Sequence, residues 1–148
     1  MNIQKISAEQ TLDLRSRILR PGQSIDLCKY AEDNLPTTFH LGIFLENKIV
    51  CNGTFIQQPH KDYLAAQLPY RLRGMATDTE FQKKGLGHFL LTTAETELRQ
   101  RKCDFLWFNA RIIAEKFYLK LGFETTSEVF DIPPISLHKV MYKWLKSR

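Results

Sequence analysis

The feature that most constrains this chain is a stretch in which a strand-like segment leads through a glycine turn into a helix. Residues 72–90 read L-R-G-M-A-T-D-T-E-F-Q-K-K-G-L-G-H-F-L. Glycine accepts positive φ angles and leaves backbone amides uncovered, and the first turn of a helix has unpaired N–H groups at the positive end of its dipole. Gly85 and Gly87 beside two lysines therefore predict a phosphate or pyrophosphate site.

Two glycines in a turn also have a simpler interpretation, in which they only allow a strand to turn into a helix. The Walker phosphate loop is excluded, because G-x-x-x-x-G-K-[ST] does not occur in the sequence. A dinucleotide-binding turn is disfavoured, because Phe89-Leu90-Leu91 stands where that motif has its third glycine. Features in the remainder of the sequence are needed to distinguish a plain turn from an anion site.

Length and composition predict one globular domain over residues 1–148, with hydrophobic and charged contents of 43% and 25%. No apolar run approaches the roughly 20 residues of a membrane span, and the N-terminus lacks the core of a signal peptide. Cys28, Cys51 and Cys103 are odd in number and widely spaced. This spacing favours a cytoplasmic protein over a disulfide framework or a zinc site. The net charge of +5 suits an acidic ligand or nucleic acid.

Hydrophobic periodicity predicts a mixed α/β fold in the order β-α-α-β-β-β-α-β-α-β-β. Ser7 and Gln10 form a capping-box pattern, Pro21-Gly22 ends the first helix, and Gly122 ends the last. A hairpin turn is predicted at 46–48. The predicted strands are 3–6, 39–45, 49–56, 70–76, 105–108, 125–130 and 138–144, the last two joined by a loop at Pro133-Pro134. The first predicted helix begins after Ser7 and has an apolar face formed by Leu12, Leu14, Ile18 and Leu19. The other predicted helices are 25–31, one from Leu86 with Arg99, Arg101 and Lys102 in its last turn, and 114–121.

Two motifs resemble the signatures of the GNAT superfamily of acyl-CoA-dependent N-acyltransferases. Q-K-K-G-L-G at 82–87 is similar to Q/R-x-x-G-x-G/A, and A-E-K-F-Y-L-K-L-G-F at 114–123 is similar to A-x-x-F-Y-x-x-x-G-F. The resemblance implies the GNAT fold, a single domain with splayed central strands. Segments 14–23 and 131–141 further resemble the ElaA-like branch, although the second has extra residues between Pro134 and His138.

The resemblance implies that acetyl-CoA is the co-substrate. Its pyrophosphate would lie on the glycine turn, and its pantetheine arm would pair like an extra strand along the segment before the turn, with Gly74 as a bulge. Asn109 would contact the arm, although it is equally suited to capping a helix or forming a turn. The implied cofactor-binding residues are Met75, Ala76, Thr77, Gln82, Lys83, Lys84, Gly85, Leu86, Gly87, His88, Asn109, Ala114 and Tyr118.

The implied reaction is direct attack of a primary amine on the thioester, with a backbone amide near Met75 stabilising the oxyanion. Tyr118 and His138 are the implied catalytic residues. Because the pKa of tyrosine, about 10, exceeds that of a thiol, about 8.5, full proton transfer to the thiolate is uphill by about 2 kcal/mol. We therefore expect Tyr118 to donate a hydrogen bond and release its proton late. Its alternative role is that of a half-buried helix tyrosine.

The base that deprotonates the amine is less well defined, with Asp78, Glu80 and His138 as candidates. Arg73 stands where the resemblance would place a glutamate in many relatives. Asp78 and Glu80 are expected instead to offset the positive charge at the start of the helix. His138 is equally compatible with a hydrogen-bonded strand histidine.

Three other functions are compatible with parts of the sequence. These are a non-catalytic CoA-binding relative, another phosphate-ligand binder and a basic nucleic-acid-binding module. The last is disfavoured, because lysines and arginines do not gather with aromatic residues on one strand face. We expect an N-acetyltransferase, monomeric or homodimeric, whose acceptor is a small-molecule or peptide amine and which has neither a nucleic-acid nor a membrane partner. The sequence defines neither the acceptor nor the acyl-chain length.

Overall fold

A computed structural model describes residues 1–126, 128–133 and 136–145, and this part contains eight strands in a mixed sheet. The strands are β1 (Asn2–Ile6), β2 (Phe39–Leu45), β3 (Lys48–Gln57), β4 (Pro69–Thr77), β5 (Phe105–Arg111), β6 (Glu124–Thr125), β7 (Phe130–Ile132) and β8 (Ser136–Trp144). The α-helices are α1 (Leu12–Leu14), α2 (Leu86–Gln100) and α3 (Glu115–Lys120). Single 3₁₀ turns lie at Glu9–Thr11, Ile25–Cys28, Thr79–Phe81 and Ile112–Ala114, and a π-helical turn at Arg15–Leu19. The mixed α/β fold is confirmed, although the number of strands and helices differs from the prediction.

The first of two compact units comprises residues 1–57 and 72–98. Strand β2 pairs antiparallel with β1 and with β3, and β4 follows β3 in the strand order. The predicted hairpin is confirmed, with Glu46 at a φ of 58° in its turn. Helix α2 buries one face, formed by Leu90, Leu91, Ala94 and Leu98. Burial of such a stripe holds the helix, because a 15-residue helix is only marginally stable alone.

A buried ion pair joins the first helical segment to the sheet of this unit. Arg15 donates from Nη1 and Nη2 to the two carboxylate oxygens of Asp33 at 2.8 and 2.9 Å, and from Nη2 to Thr54 Oγ1 at 2.7 Å. His40 Nε2 lies 2.9 Å from the Asp33 carbonyl oxygen, and Nδ1 lies 2.7 Å from Thr54 Oγ1. Because a carbonyl only accepts, the His40 proton is on Nε2 and Thr54 donates to Nδ1.

The pKa values of this network follow from burial and hydrogen bonding. Burial lowers the pKa of His40, since it disfavours the imidazolium. Burial by itself would raise the pKa of Asp33, but the hydrogen bonds from Arg15 and from the Tyr30 backbone leave it below its ordinary value. The network therefore holds one cation, one anion and a neutral imidazole at physiological pH.

The second unit comprises residues 58–71 and the described residues from 99 onward. Here β4 pairs parallel with β5 over only three residues, from Pro69↔Phe105 to Arg71↔Trp107. Strand β5 pairs antiparallel with β8 along its whole length, and β8 also pairs with β6 and β7. An aromatic cluster surrounds Phe105, which is fully buried. Its other members are Tyr63, Tyr142 and Trp144.

Signals that act over a few residues are confirmed. The Ser7 N–H donates to Gln10 Oε1 at 2.9 Å, and the Gln10 N–H donates to Ser7 Oγ at 3.2 Å, as the capping box predicts. The first helical run ends at Leu19, before Pro21, and Gly122 follows the end of α3 at a φ of 92°. No helix in the described part of the chain is long and apolar enough to cross a membrane.

Several predictions of secondary structure were wrong. Strand β5 does not end at Phe108, because pairing with β8 carries it on to Arg111. The predicted strand 125–130 is replaced by β6 and β7, which pair separately with β8. The predicted helix 25–31 is a single 3₁₀ turn, and Arg101 and Lys102 lie beyond the end of α2. Pro134 of the predicted loop lies outside the described residues.

Candidate active site

The glycine turn leaves β4 and starts α2 as the sequence predicts. Gly85 caps the helix, since its carbonyl oxygen accepts the first helical hydrogen bond from the Phe89 N–H at 3.0 Å. Its φ is 83°, and a Cβ atom added there would meet no described atom within 4 Å. Lys83 also has a positive φ, 62°, which is uncommon outside glycine. The backbone is thus wound so that the start of α2 faces open space.

Some side chains of this turn are buried in the core, and others are exposed to solvent. Leu86 is buried and fixes the helix start in the core. Lys84 places Nζ 5.7 Å from the Phe81 ring centroid, and Lys83 and His88 are exposed. The first turn of α2 therefore begins beside two exposed lysines, an arrangement that attracts a phosphate group.

The end of β4 lies beside this turn in the first unit. Ala76 buries its side chain, whereas Met75 and Thr77 are half-buried. The Thr77 carbonyl oxygen accepts a hydrogen bond from Gln82 Nε2 at 3.1 Å, and Thr77 Oγ1 donates to Cys51 Sγ at 3.4 Å. Gln82, the first residue of the glycine motif, therefore ties the turn back to the strand.

Gly74 gives β4 an irregular backbone, with a φ of 66°. A Cβ atom added there would lie 2.9 Å from Arg15 Nε and 3.3 Å from the Tyr30 ring. Asn52 Nδ2 donates to the Gly74 carbonyl oxygen at 3.3 Å. The irregularity expected at this glycine is present, and the buried Arg15 supports it from behind.

Two charged residues near the end of β4 are already engaged in ion pairs. Arg73 places its guanidinium 3.8 Å from the Tyr30 ring centroid and pairs with Glu32 at 3.7 Å. Asp78 is buried and pairs with Arg17 at 3.1 Å and Lys48 at 3.5 Å. Burial opposes ionisation of Asp78, but the Arg17 hydrogen bond and both cations leave its pKa below the ordinary value. An engaged carboxylate with a lowered pKa is a poor base.

The second unit contains the other predicted site residues. Tyr118 is half-buried on α3, and its ring packs edge-on against Phe108 at 4.6 Å, with Phe117 and Phe123 at 5.0 and 6.0 Å. Ala114 is the residue before the first turn of α3. The ring of Tyr118 is thus held by packing against three phenylalanine rings.

Asn109 and His138 lie on neighbouring strands. Asn109 is inside β5, opposite Val140 on β8, so neither the helix-cap nor the turn alternative applies to it. His138 is buried on β8, opposite Arg111 and Phe130, and its ring stacks on Phe130 at 6.0 Å. These contacts fit a packed strand histidine, and they leave a catalytic role as a hypothesis.

A cavity of about 590 Å³ lies within the second unit. Aromatic rings and polar groups share its wall, and the principal lining residues are His60, Tyr63, Trp107, Asn109, Glu128 and Phe130. A cavity of this size lies in the range of small-molecule sites, roughly 300–1,000 Å³.

His60 is held rigidly in the wall of this cavity. Its ring lies edge-on to Trp107 at 4.7 Å and to Tyr63 at 5.2 Å. Burial lowers its pKa, and the Asp62 N–H donates to Nδ1 at 3.0 Å. The neutral ring therefore carries its proton on Nε2, so His60 is a hydrogen-bond donor and not a ready base.

Sequence reasoning found the residues of the glycine turn but missed the cavity. The segment 59–68, which contains His60 and Tyr63, lies between two predicted strands and was assigned no role. Trp107 and Asn109 are two residues apart on one strand, so their side chains lie on the same face of the sheet. This spacing was the one sequence signal that indicated part of the cavity wall. Pairing them with His60 and Glu128 required tertiary structure.

Comparisons with known proteins identify the class. Residues 5–123 match the family model described as Acetyltransferase (GNAT) family. The chain is 40% identical over 147 residues to "Uncharacterized N-acetyltransferase YitI" of Bacillus subtilis (strain 168), covering 99% of this chain and 98% of that protein. The chain therefore belongs to the GNAT acetyltransferase family, whose members are acyl-CoA-dependent N-acyltransferases.

Solved structures show the same fold at lower identity. An aminoglycoside 6'-N-acetyltransferase complexed with coenzyme A superimposes with a TM-score of 0.75 at 14% identity, covering 100% of this chain and 99% of that one. Escherichia coli ElaA superimposes with a TM-score of 0.74 at 17% identity, covering 96% of this chain and 98% of that one. The expected GNAT fold, including its likeness to ElaA, is thereby confirmed.

Proposed function

We propose that the protein transfers an acetyl group from acetyl-CoA to a primary amine by direct attack, with Tyr118 donating a hydrogen bond to the leaving thiolate. The observation that carries this proposal is the backbone of the glycine turn. Positive φ angles at Lys83 and Gly85 and open space at Gly85 leave the start of α2 accessible. The three cysteines are buried and free in the described chain, which supports the cytoplasmic location that we also propose.

The residues of the first unit fit CoA. The amides from Lys83 to His88 would bind the pyrophosphate, because the turn offers N–H groups, dipole and charge together. Met75, Ala76 and Thr77 would bind the pantetheine arm through their backbone groups. The β4–β5 ladder ends at Arg71 and Trp107, whereas β4 continues to Thr77, so an extended chain would pair with the backbone of this part of β4.

When bound, acetyl-CoA supplies an activated acyl group and a thiolate leaving group. The Met75 N–H, next to the irregular Gly74, would stabilise negative charge on the carbonyl oxygen. The Tyr118 hydroxyl would donate to the thiolate, since its ring is held by Phe108 and Phe123. Asn109 and Ala114 would contact the cofactor arm.

Proton removal from the amine is assigned to His138 or to water. Asp78 is the weaker candidate, because Arg17 and Lys48 hold it as a carboxylate. An ammonium of pKa near 10 must lose its proton before attack, at a cost of about 4 kcal/mol at pH 7 if unassisted.

Two matched glycine substitutions test the cofactor assignment. Gly85→Glu would place a carboxylate at the pyrophosphate, and we expect it to abolish acetyl-CoA binding in calorimetric titration. Gly22 has nearly the same φ, 82° against 83°, and equally open space among the described residues. Gly22→Glu therefore adds the same strain and charge elsewhere, and it should bind normally. Equal affinity of the two variants would refute the assignment, and binding without transfer to any amine would indicate a non-catalytic relative.

A further inference from the structure

The cavity of the second unit combines a rigid aromatic wall with carboxylates. We propose that it binds the acceptor, a small primary amine whose ammonium group is attached to a flat apolar body, as in an arylalkylamine. This inference rests on the proposed acetyl transfer and adds the class of substrate.

The aromatic wall is formed before any ligand binds. Trp107 is fixed because its Nε1 donates to the Gln58 carbonyl oxygen at 2.9 Å, and His60 packs edge-on against its ring. Tyr63 packs against Phe105 at 5.0 Å and Tyr142 at 4.8 Å. Burial raises the pKa of Tyr63 to about 12, so its hydroxyl stays neutral. A preformed wall favours a ring-shaped ligand, because little side-chain entropy is lost on binding.

The charged residues around the cavity indicate where each end of the ligand would bind. The Arg71 guanidinium lies 4.8 Å from the Trp107 ring centroid, so an ammonium on that ring would meet a like charge. The lining carboxylates are Asp62 and Glu128, and the lining cation is Lys61. Glu128 lies on the connection between β6 and β7, and it is the carboxylate we assign to the ammonium group. The apolar body of the ligand then contacts Trp107, Tyr63 and Phe130.

Asn109 connects the cavity with the reaction. Asn109 lines the cavity, and it is also the residue that we assign to the cofactor arm. An amine in the cavity would therefore contact the same asparagine as the cofactor arm. His60 Nε2–H adds a donor in the wall, suited to a hydroxyl or carbonyl oxygen on the ligand.

Tryptophan fluorescence tests ligand class without relying on catalysis. The chain has two tryptophans, so Trp144→Phe leaves Trp107 as the only emitter. Titration of this variant with 2-phenylethylamine should give a saturable change in emission, and 2-phenylethanol and glucosamine should bind at least fivefold more weakly. In the same background Glu128→Gln should weaken phenylethylamine about fivefold, the effect of one exposed charge pair. Glu124→Gln, an exposed carboxylate of the same unit outside the lining residues, is the matched control.

Turnover measurements test the acceptor role. Glu128→Gln should raise KM for phenylethylamine about fivefold and leave acetyl-CoA affinity unchanged. Equal KM values for the Glu128 and Glu124 variants, or a preference for glucosamine, would overturn the proposed class while acetyl transfer stands. Amine binding by a protein that binds no acetyl-CoA would refute acetyl transfer, and the acceptor role with it.

Discussion

Replacing Arg15 by methionine should be among the most destabilising single changes in the first unit. Arg15 is 1% exposed, and its guanidinium makes four hydrogen bonds, to Asp33, Thr54 and the Cys28 carbonyl oxygen. Methionine fills much of the volume but leaves the Asp33 carboxylate buried without its cation. Removing one partner of a buried ion pair costs about 3–5 kcal/mol.

This loss is large beside the whole free energy of unfolding, which is about 5–15 kcal/mol for a natural domain. The same change removes the side chain that packs behind Gly74, so acetyl-CoA affinity should fall with stability. Arg15→Lys should lie between wild type and Arg15→Met, because it restores the charge but not the paired hydrogen bonds.

Urea unfolding, followed by circular dichroism, measures the effect. Lys5→Met is the control, since Lys5 pairs with Glu97 at 3.2 Å but its side chain is 57% exposed. That pair is worth about 0–1 kcal/mol. If the two variants lost similar free energy of unfolding, the assignment of Arg15 as a structural centre of this unit would be wrong.

Three further predictions concern catalysis, cofactor binding and pH. Tyr118→Phe keeps the ring that packs on Phe108, so the variant should retain acetyl-CoA binding and the melting temperature of the wild type. It should lose about 100-fold in both kcat and kcat/KM, which corresponds to roughly 3 kcal/mol. Full activity would show that the match at Tyr118 reflects packing alone. Lys83→Ala and Lys84→Ala should each weaken acetyl-CoA binding by about 1 kcal/mol at low salt and by less at high salt, because exposed charges are screened; a salt-independent loss in titrations would indicate a structural role. Stability should be full above pH 6.5 and fall below it, because His40 and His60 have lowered pKa values and the unfolded chain takes up protons that the folded chain resists. Each histidine contributes a slope of at most about 1.4 kcal/mol per pH unit, and urea midpoints that are unchanged between pH 7.5 and pH 5 would contradict this account.

Features that depend on a few neighbouring residues could be read from the sequence. The capping box of Ser7 and Gln10, the end of α3 at Gly122 and the glycine turn at Gly85 all occur where they were predicted. Each feature depends on the φ preference of one residue or on a hydrogen bond between residues a few positions apart. Both can be inferred from the identities of neighbouring residues. Two motifs in order were then enough to indicate the family.

Features that depend on distant residues were decided by the tertiary structure. Arg15 meets Asp33 and Thr54 across 18 and 39 positions, and no local pattern marks them as partners. The full length of β5 depends on β8, whose pairing extends β5 beyond Phe108 to Arg111. Likewise, the ion pairs of Asp78 and the cavity that joins His60 to Trp107 arise only when separate segments pack together. Sequence determines which conformation each segment prefers, whereas charge pairing, burial and cavity shape depend on which segments become neighbours in the folded chain.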